Sequence, residues 1–322
     1  MSKHIYGVGE TVYDILFRNE KPLKAVPGGS AFNAIISLGR CGLRPIMSTF
    51  VGDDAIGTLT LGFMNRNGVD TGCVERLQGC RSHLSLAFLN DRNDAEYQFY
   101  KDHASLSMTL PVPAFGAEDY VLFGSFFAVN PAIREQVFRY LSAARTAGTL
   151  LYYDINFRPT HVKDLPFVRE NLLENLRLAS VVRGSMEDFH YLFGIDDVSS
   201  DRFSLAEEVY HQHIKAHCPY LLVTDGGKAV HVMTPTLHEV FEVPPIKTVS
   251  TVGAGDNFNA GFLYSLYKNG VRHTALADIS KEMWAQHIGI ARRFAANVCG
   301  SLDNYVGDDF AGLLRDEAKN AG

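Results

Sequence analysis

The chain has 322 residues, 46% of them hydrophobic and 20% charged, with a formal net charge of −6. That composition suits an ordinary globular protein, and its negative balance gives no electrostatic footprint for nucleic acid or an anionic membrane. Five scattered cysteines (Cys41, Cys73, Cys80, Cys218, Cys299) without CxxC spacing argue for reduced thiols rather than a disulfide or zinc framework.

The N-terminus carries no signal-peptide pattern, because its short apolar run is broken at Gly7 and Gly9. No apolar run approaches the roughly 20 residues that span a bilayer, so no membrane partner and a cytoplasmic location are expected. Ile5 to Gly9 reads as a buried first strand. Gly7-x-Gly9 invites a dinucleotide fingerprint, but the third glycine position holds Val12, and Pro22 and Pro27 interrupt the helix such a site needs. Thr11 to Phe17 is a short strand carrying Asp14 among apolar residues; a surface carboxylate on an edge strand is the plain alternative to a ligand role for it. Gly28-Gly29 then opens a helix from about Ser30 to Cys41, with Ala31, Ile35 and Leu38 on one face and Gly42 as its stop. Without a Cβ, these two glycines allow close backbone approach to a ligand. Asn33 sits in the first turn, where its amide can both donate to and accept from hydroxyls, or simply serve the helix start.

Ile46 to Val51 is a strand, and Ala55 to Asn67 a helix closed by Gly68. Ser82 to Leu89 alternates polar and apolar, a turn follows at 90–94, and Glu96 to Tyr100 returns as a hairpin. Tyr97 and Phe99 share one face of that return strand. From residue 119 onward apolar strands alternate with helices: Tyr120–Phe123, Leu150–Asp154, Ser180–Val182 and Tyr220–Thr224, with helices near 131–146 and 187–193. Such alternation predicts an α/β fold, a doubly wound, mostly parallel sheet with helices on both faces. Ligands of such sheets lie beyond the carboxyl ends of the strands, where Asp154, Arg183 and Thr224 fall. In Asp154-Ile155-Asn156-Phe157-Arg158, Arg158 offers a fork of donors for phosphoryl oxygens or a carboxylate, unless it merely pairs with Asp154. His211, His213 and His217 cluster on a helix, but only His213 and His217 share a face, so a solvated surface is expected there. No G-x-x-x-x-G-K-[ST] run occurs.

The most informative stretch is Thr251-Val252-Gly253-Ala254-Gly255-Asp256-Asn257-Phe258-Asn259-Ala260-Gly261. It predicts a loop running into a helix N-terminus, whose unpaired N–H groups and positive dipole end suit an anion. This string resembles the C-terminal signature of the ribokinase-like (PfkB) family of sugar kinases. Gly28-Gly29-Ser30-Ala31-Phe32-Asn33 and Gly52-Asp53-Asp54-Ala55-Ile56-Gly57 resemble the family's N-terminal signature, and D-x-N-x-R at Asp154 resembles its fructokinase and 2-keto-3-deoxygluconate kinase branches. The resemblance covers essentially the whole chain.

It implies a single domain over 1–322, with a small β-sheet lid formed by about 11–25 and 80–105. It further implies phosphoryl transfer from ATP, with Mg²⁺, to a sugar hydroxyl, a ketohexose such as fructose being the first expectation. 2-Keto-3-deoxygluconate, for which Arg81 or Lys101 would supply a second cation, is an alternative, as is ribose or a nucleoside. A non-catalytic sugar-binding relative is the alternative from another class. Asp256 would accept the proton of the attacking hydroxyl, and Gly253, Ala254 and Gly255 would hold the charge of the moving phosphoryl group. Asp14, Gly28, Gly29, Asn33 and Arg158 would bind the sugar. Ser185, Asp188, Thr224, Gly226, Gly227 and Asn297 would bind the nucleotide, with Asp188 meeting the metal through water. Three positions depart from the family pattern: Ser250 replaces an aspartate, which leaves K⁺ dependence open, Ser185 replaces the asparagine of N-x-x-E, and Ala229 replaces a glycine. The open edges of the lid point to a homodimer through it.

Overall fold

Short buried strands and glycine-stopped helices build the N-terminal third. In order come β1 (Ile5–Val8), β2 (Val12–Arg18), β3 (Lys21–Gly28), α1 (Ser30–Arg40), β4 (Ile46–Gly52), α2 (Ala55–Arg66), β5 (Val74–Leu77), β6 (Leu84–Leu89) and β7 (Ala95–Tyr100). The computed structural model describes residues 3–89, 95–195 and 201–320; the turn expected at 90–94 and the side chain of Tyr97 lie outside what is described. The coordinates divide into two compact units, one comprising 4–113, 246–264 and 291 onward, the other 1–3, 114–245 and 265–290.

In the first of these, β1 pairs in parallel with β4, and β4 with β5. A separate four-stranded sheet has the order β3-β2-β6-β7. Its outer strand β3 was not foreseen; Pro22 and Pro27 counted there only against a helix. Both prolines are tolerated because β3 lies at the sheet edge. Asn19 and Glu20 join it to β2 with φ of 49° and 62°, the conformation of a two-residue hairpin. β2 is thus an interior strand of this sheet.

The second unit contributes β8 (Tyr120–Gly124), α3 (Ser125–Val129), α4 (Arg134–Thr146), β9 (Leu150–Asp154), α5 (Leu165–Leu178), β10 (Val181–Ser185), α6 (Met186–Phe193), α7 (Arg202–Val209), β11 (Leu221–Asp225), β12 (Ala229–Met233) and β13 (His238–Glu242). β8 to β11 pair successively in parallel; β12 and β13 are added antiparallel. These strands read as continuous apolar runs because both faces are covered: every residue of β8, β9 and β11 is buried. The chain ends in α8 (Ala254–Lys268), α9 (Lys281–Cys299) and α10 (Asp308–Asn320). The mostly parallel α/β architecture with a small second sheet is as expected. Among the described residues no helix is long and apolar enough to cross a membrane.

The small sheet is fastened at its foot by two carboxylates. Asp54 caps α2 by accepting from Gly57 N at 2.7 Å, and it also accepts from the backbone N and the Oγ of Ser82, both at 2.7 Å. These bonds outweigh partial desolvation and lower its pKa. Glu10, just before β2, meets His83 Nδ1 at 2.5 Å and accepts from Lys101 Nζ at 2.7 Å. Burial would raise the Glu10 pKa, but the bond to His83 and the charge of Lys101 lower it. Asp54→Ala removes the cap and both Ser82 bonds; it is expected to cost about 2 kcal/mol, a fall of roughly 3 °C in thermal midpoint, while Asp54→Asn retains most of the stability.

Candidate active site

In the first unit the predicted acceptor residues converge. Asp14, on interior strand β2, is 6% exposed. Ser85 Oγ donates to its Oδ1, and Asn304 Nδ2 donates to its Oδ2 at 3.4 Å. Burial pushes its pKa up to about 6 against the opposing bond from Ser85. Far from a surface carboxylate on an edge strand, it is an enclosed acid with no cation bonded to it among the described contacts. Gly28 and Gly29 make room for this arrangement. A Cβ on Gly28 would lie 2.3 Å from Asp14 Oδ2, and one on Gly29, whose φ is +125°, would lie 2.3 Å from the Glu10 carbonyl oxygen. The close approach these glycines permit is to the protein's own oxygens.

Asn33, in the first turn of α1, donates through Nδ2 to Asp256 Oδ2 at 2.8 Å. It is 5% exposed, and its Oδ1 is a buried acceptor without a hydrogen-bond partner. One end of the amide therefore orients Asp256, and the other is a buried acceptor that no donor meets among the described residues. Asp256 is the third residue of α8 and 9% exposed. Gly253 precedes the helix with φ +78°, and a Cβ there would lie 2.9 Å from the Asn304 carbonyl oxygen. Only glycine satisfies both the backbone angle and the clearance. The Ala254 N–H donates to Thr251 O at 3.2 Å. Ser250 is buried, and its Oγ accepts from Val252 N at 3.2 Å. Asn297, expected at the nucleotide, accepts from Gly307 N at 2.9 Å and so anchors the loop before α10.

In the second unit the strand register aligns Gly124 with Asp154, Asp154 with Arg183, and Ser185 with Thr224. Arg183, 7% exposed, donates to Asp154 Oδ1 at 2.9 Å and to Thr224 Oγ1 at 2.7 Å. Desolvation works against its charge, but Asp154 raises its pKa overall. The carboxylate that D-x-N-x-R offered to Arg158 is thus held by Arg183, and Arg158 is exposed beside the 3₁₀ turn Pro159–Asp164. Asn156 adopts φ 39° and donates to the Oγ of Ser125, which itself has φ 53°, at 2.8 Å. Both residues thus have left-handed backbone at adjacent strand ends. Nothing in the sequence singled out Ser125.

Ser185 and Asp188 form a reciprocal capping box on α6. Asp188 Oδ1 also accepts from Phe157 N at 2.7 Å, while Oδ2 accepts from the backbone N and Oγ of Ser185 at 2.6 and 2.8 Å. Burial raises its pKa despite the pull of Arg183. Its carboxylate is committed to the fold, whereas the neighbouring Glu187 is exposed. Gly226 (φ +53°) and Gly227 form the exposed turn between β11 and β12, with nothing within 4 Å of where a Cβ would stand. Asp225 beside them is gripped by Arg202 through two bonds of 3.1 Å.

Comparison with known proteins bears on the family and the fold. A profile described as pfkB family carbohydrate kinase matches residues 3–280. A fructokinase of Escherichia coli is 28% identical over 304 residues, covering 94% of this chain and 93% of the relative. Among solved structures, aminoimidazole riboside kinase from Salmonella enterica, complexed with aminoimidazole riboside and an ATP analog, superposes with a TM-score of 0.79 at 20% identity, covering 98% of this chain and 100% of the other. Fructokinase from Vibrio cholerae, in a form with fructose, ADP and calcium ion bound, also gives 0.79 at 20% identity, covering 94% of each chain.

An ionised Asp14 costs the folded state on the order of 3 kcal/mol at neutral pH, since its pKa is raised from 3.8 to about 6. The folded protein holds a proton that the unfolded chain has lost between those values, so this contribution falls as pH rises through that window and stays at its minimum above about 6. Asp14→Asn is therefore expected to raise the thermal midpoint above wild type at pH 7.5 and to match it near pH 4. Scanning calorimetry at both pH values checks the sign.

Proposed function

The chain belongs to the pfkB family of carbohydrate kinases, phosphotransferases that act on a sugar hydroxyl, and we propose that it transfers the γ-phosphoryl group of ATP to a neutral ketohexose such as fructose. One observation supports the reading: a buried amide, Asn33, orients the helix-start carboxylate Asp256 at 2.8 Å and keeps a buried acceptor oxygen that no described donor meets. Asp256 accepts the proton of the attacking hydroxyl, while Asn33 Oδ1 and Asp14 accept from other sugar hydroxyls. The N–H groups of Gly253 and Gly255, at the positive end of α8, meet the charge that develops on the transferred group. Positioning supplies most of the rate in such a loose transition state, so a weakly basic aspartate suffices.

Fructose is favoured over 2-keto-3-deoxygluconate because Lys101, a candidate cation for a keto-acid carboxylate, is already held by Glu10 at 2.7 Å. The names of the Escherichia coli and Vibrio cholerae relatives support the same choice. In this reading the chain is one catalytic domain, with the small sheet as its lid. Thr224, Gly226, Gly227, Ser185 and Asn297 serve the nucleotide, chiefly by backbone and by small side chains. Among the described residues no three His, Cys, Asp or Glu side chains group to hold a metal. Magnesium would be carried by the phosphates and water, with Glu187 better placed than the committed Asp188 to meet that water; when bound, it neutralises phosphate charge. Ser250 supplies only a neutral hydroxyl already in use, so no K⁺ is assigned. The sheet face opposite Asp14 carries Phe88 and Tyr100, 37% and 55% exposed, and supports pairing with a second copy; light scattering at twice the chain mass would agree with it.

A coupled ADP-release assay with ATP–Mg²⁺ against fructose, 2-keto-3-deoxygluconate, ribose and nucleosides tests the proposal. Fructose is expected to turn over fastest, Asp256→Asn to lower kcat by at least about 100-fold, and Na⁺ in place of K⁺ to leave the rate unchanged. Sugar binding without turnover by the wild type would replace the kinase reading with that of a binding protein.

A further inference from the structure

The loop between α9 and α10 bears on two parts of the acceptor site at once, and no sequence motif marks it. Asn304, 4% exposed, reaches Asp14 Oδ2 with its Nδ2 at 3.4 Å. Its carbonyl oxygen accepts from Asn257 Nδ2 at 2.8 Å, and the same Nδ2 donates to Gly253 O at 2.8 Å. Asn257, fully buried, accepts at its Oδ1 from Ser37 Oγ at 2.5 Å, and that hydroxyl accepts from Val306 N at 3.1 Å. The loop is pinned on other sides: Arg40 donates to Val306 O at 2.7 Å, and Asp303 pairs with Lys24 of β3.

We propose that Asn304 and Asn257 are positioning residues, Asn304 holding the sugar-side carboxylate Asp14 and Asn257 holding the Gly253–Asp256 turn against the same loop. The proposal rests on the kinase reading. Neither residue touches the reacting atoms. Each acts on a group that does, and displacements well under an ångström between such groups cost rate. A network in which each buried polar atom answers another fixes one geometry, which packing of apolar residues alone does not.

The two asparagines are separable because they serve different ends. Asn304→Ala removes the donor to Asp14 and keeps the carbonyl; it is expected to raise the KM for fructose about tenfold with kcat within about twofold. Asn257→Ala frees the turn and is expected to lower kcat about tenfold or more with little change in KM. Asn304→Asp keeps the shape of the side chain but sets a carboxylate against Asp14, and is expected to raise KM further than Asn304→Ala. A role in packing alone predicts the reverse order, with the isosteric Asp close to wild type. That reverse order, or a loss of kcat and thermal midpoint in parallel with KM unchanged, would overturn the assignment while an active wild type kept the kinase reading intact. A wild type that phosphorylates no sugar would remove both.

Discussion

The hydrogen bond from Asn33 to Asp256 joins the first turns of two helices that lie 223 residues apart in the chain. Around it the acceptor site is arranged: α1 must begin at Gly29 for Asn33 to reach, and α8 must begin beyond Gly253 for the carboxylate to be met. Each helix start is enforced by a glycine that nothing larger can replace. Gly29 adopts a positive φ against the Glu10 carbonyl, and Gly253 does so against the backbone of Asn304. The two signatures in the sequence are therefore halves of one contact.

That explains which parts of the molecule were legible and which were not. Strand–helix alternation gave the α/β class because parallel strands buried on both faces leave a continuous apolar trace. Asp256 and Asn33 were legible because helix starts have local signs: small residues, a polar first turn, an apolar face behind. β3 was obscured because the penalty for proline in a strand applies inside a sheet and not at its edge, and edge position is a property of the assembled sheet. Asp188 was ambiguous for a related reason. Ser-x-x-Asp before an apolar run is a capping box, and the same spacing serves a ligand pair equally well; only the bond from Phe157 N shows where the carboxylate is spent. Asn304, Ser85 and Ser37 gave no local sign at all, since their partners are 290, 71 and 220 residues away.

The buried charges of the two units are handled differently. In the second, Asp154 is compensated by Arg183, which is itself shared with Thr224 at the next strand end. Removing either partner would strand a charge, and this interlock holds three strand ends in one arrangement. In the first unit Asp14 receives only hydroxyl and amide donors, and its raised pKa records the shortfall. A core selected for stability alone would place an apolar or amide side chain at that position.

An acid kept under-solvated is a strong acceptor for any hydroxyl that arrives. In the proposed reading sugar hydroxyls supply the donors that water supplies elsewhere, so the desolvation cost of the buried carboxylate is relieved when ligand binds, and affinity gains by the difference. The same argument applies to Asn33 Oδ1, a buried acceptor left open beside a carboxylate already oriented. Two incompletely satisfied acceptors within a loop-and-helix frame that is otherwise closely hydrogen-bonded are poor choices for folding and good ones for recognising a polyol. Local rules of stability fail where function asks them to, and they fail in the unit that carries Asp256.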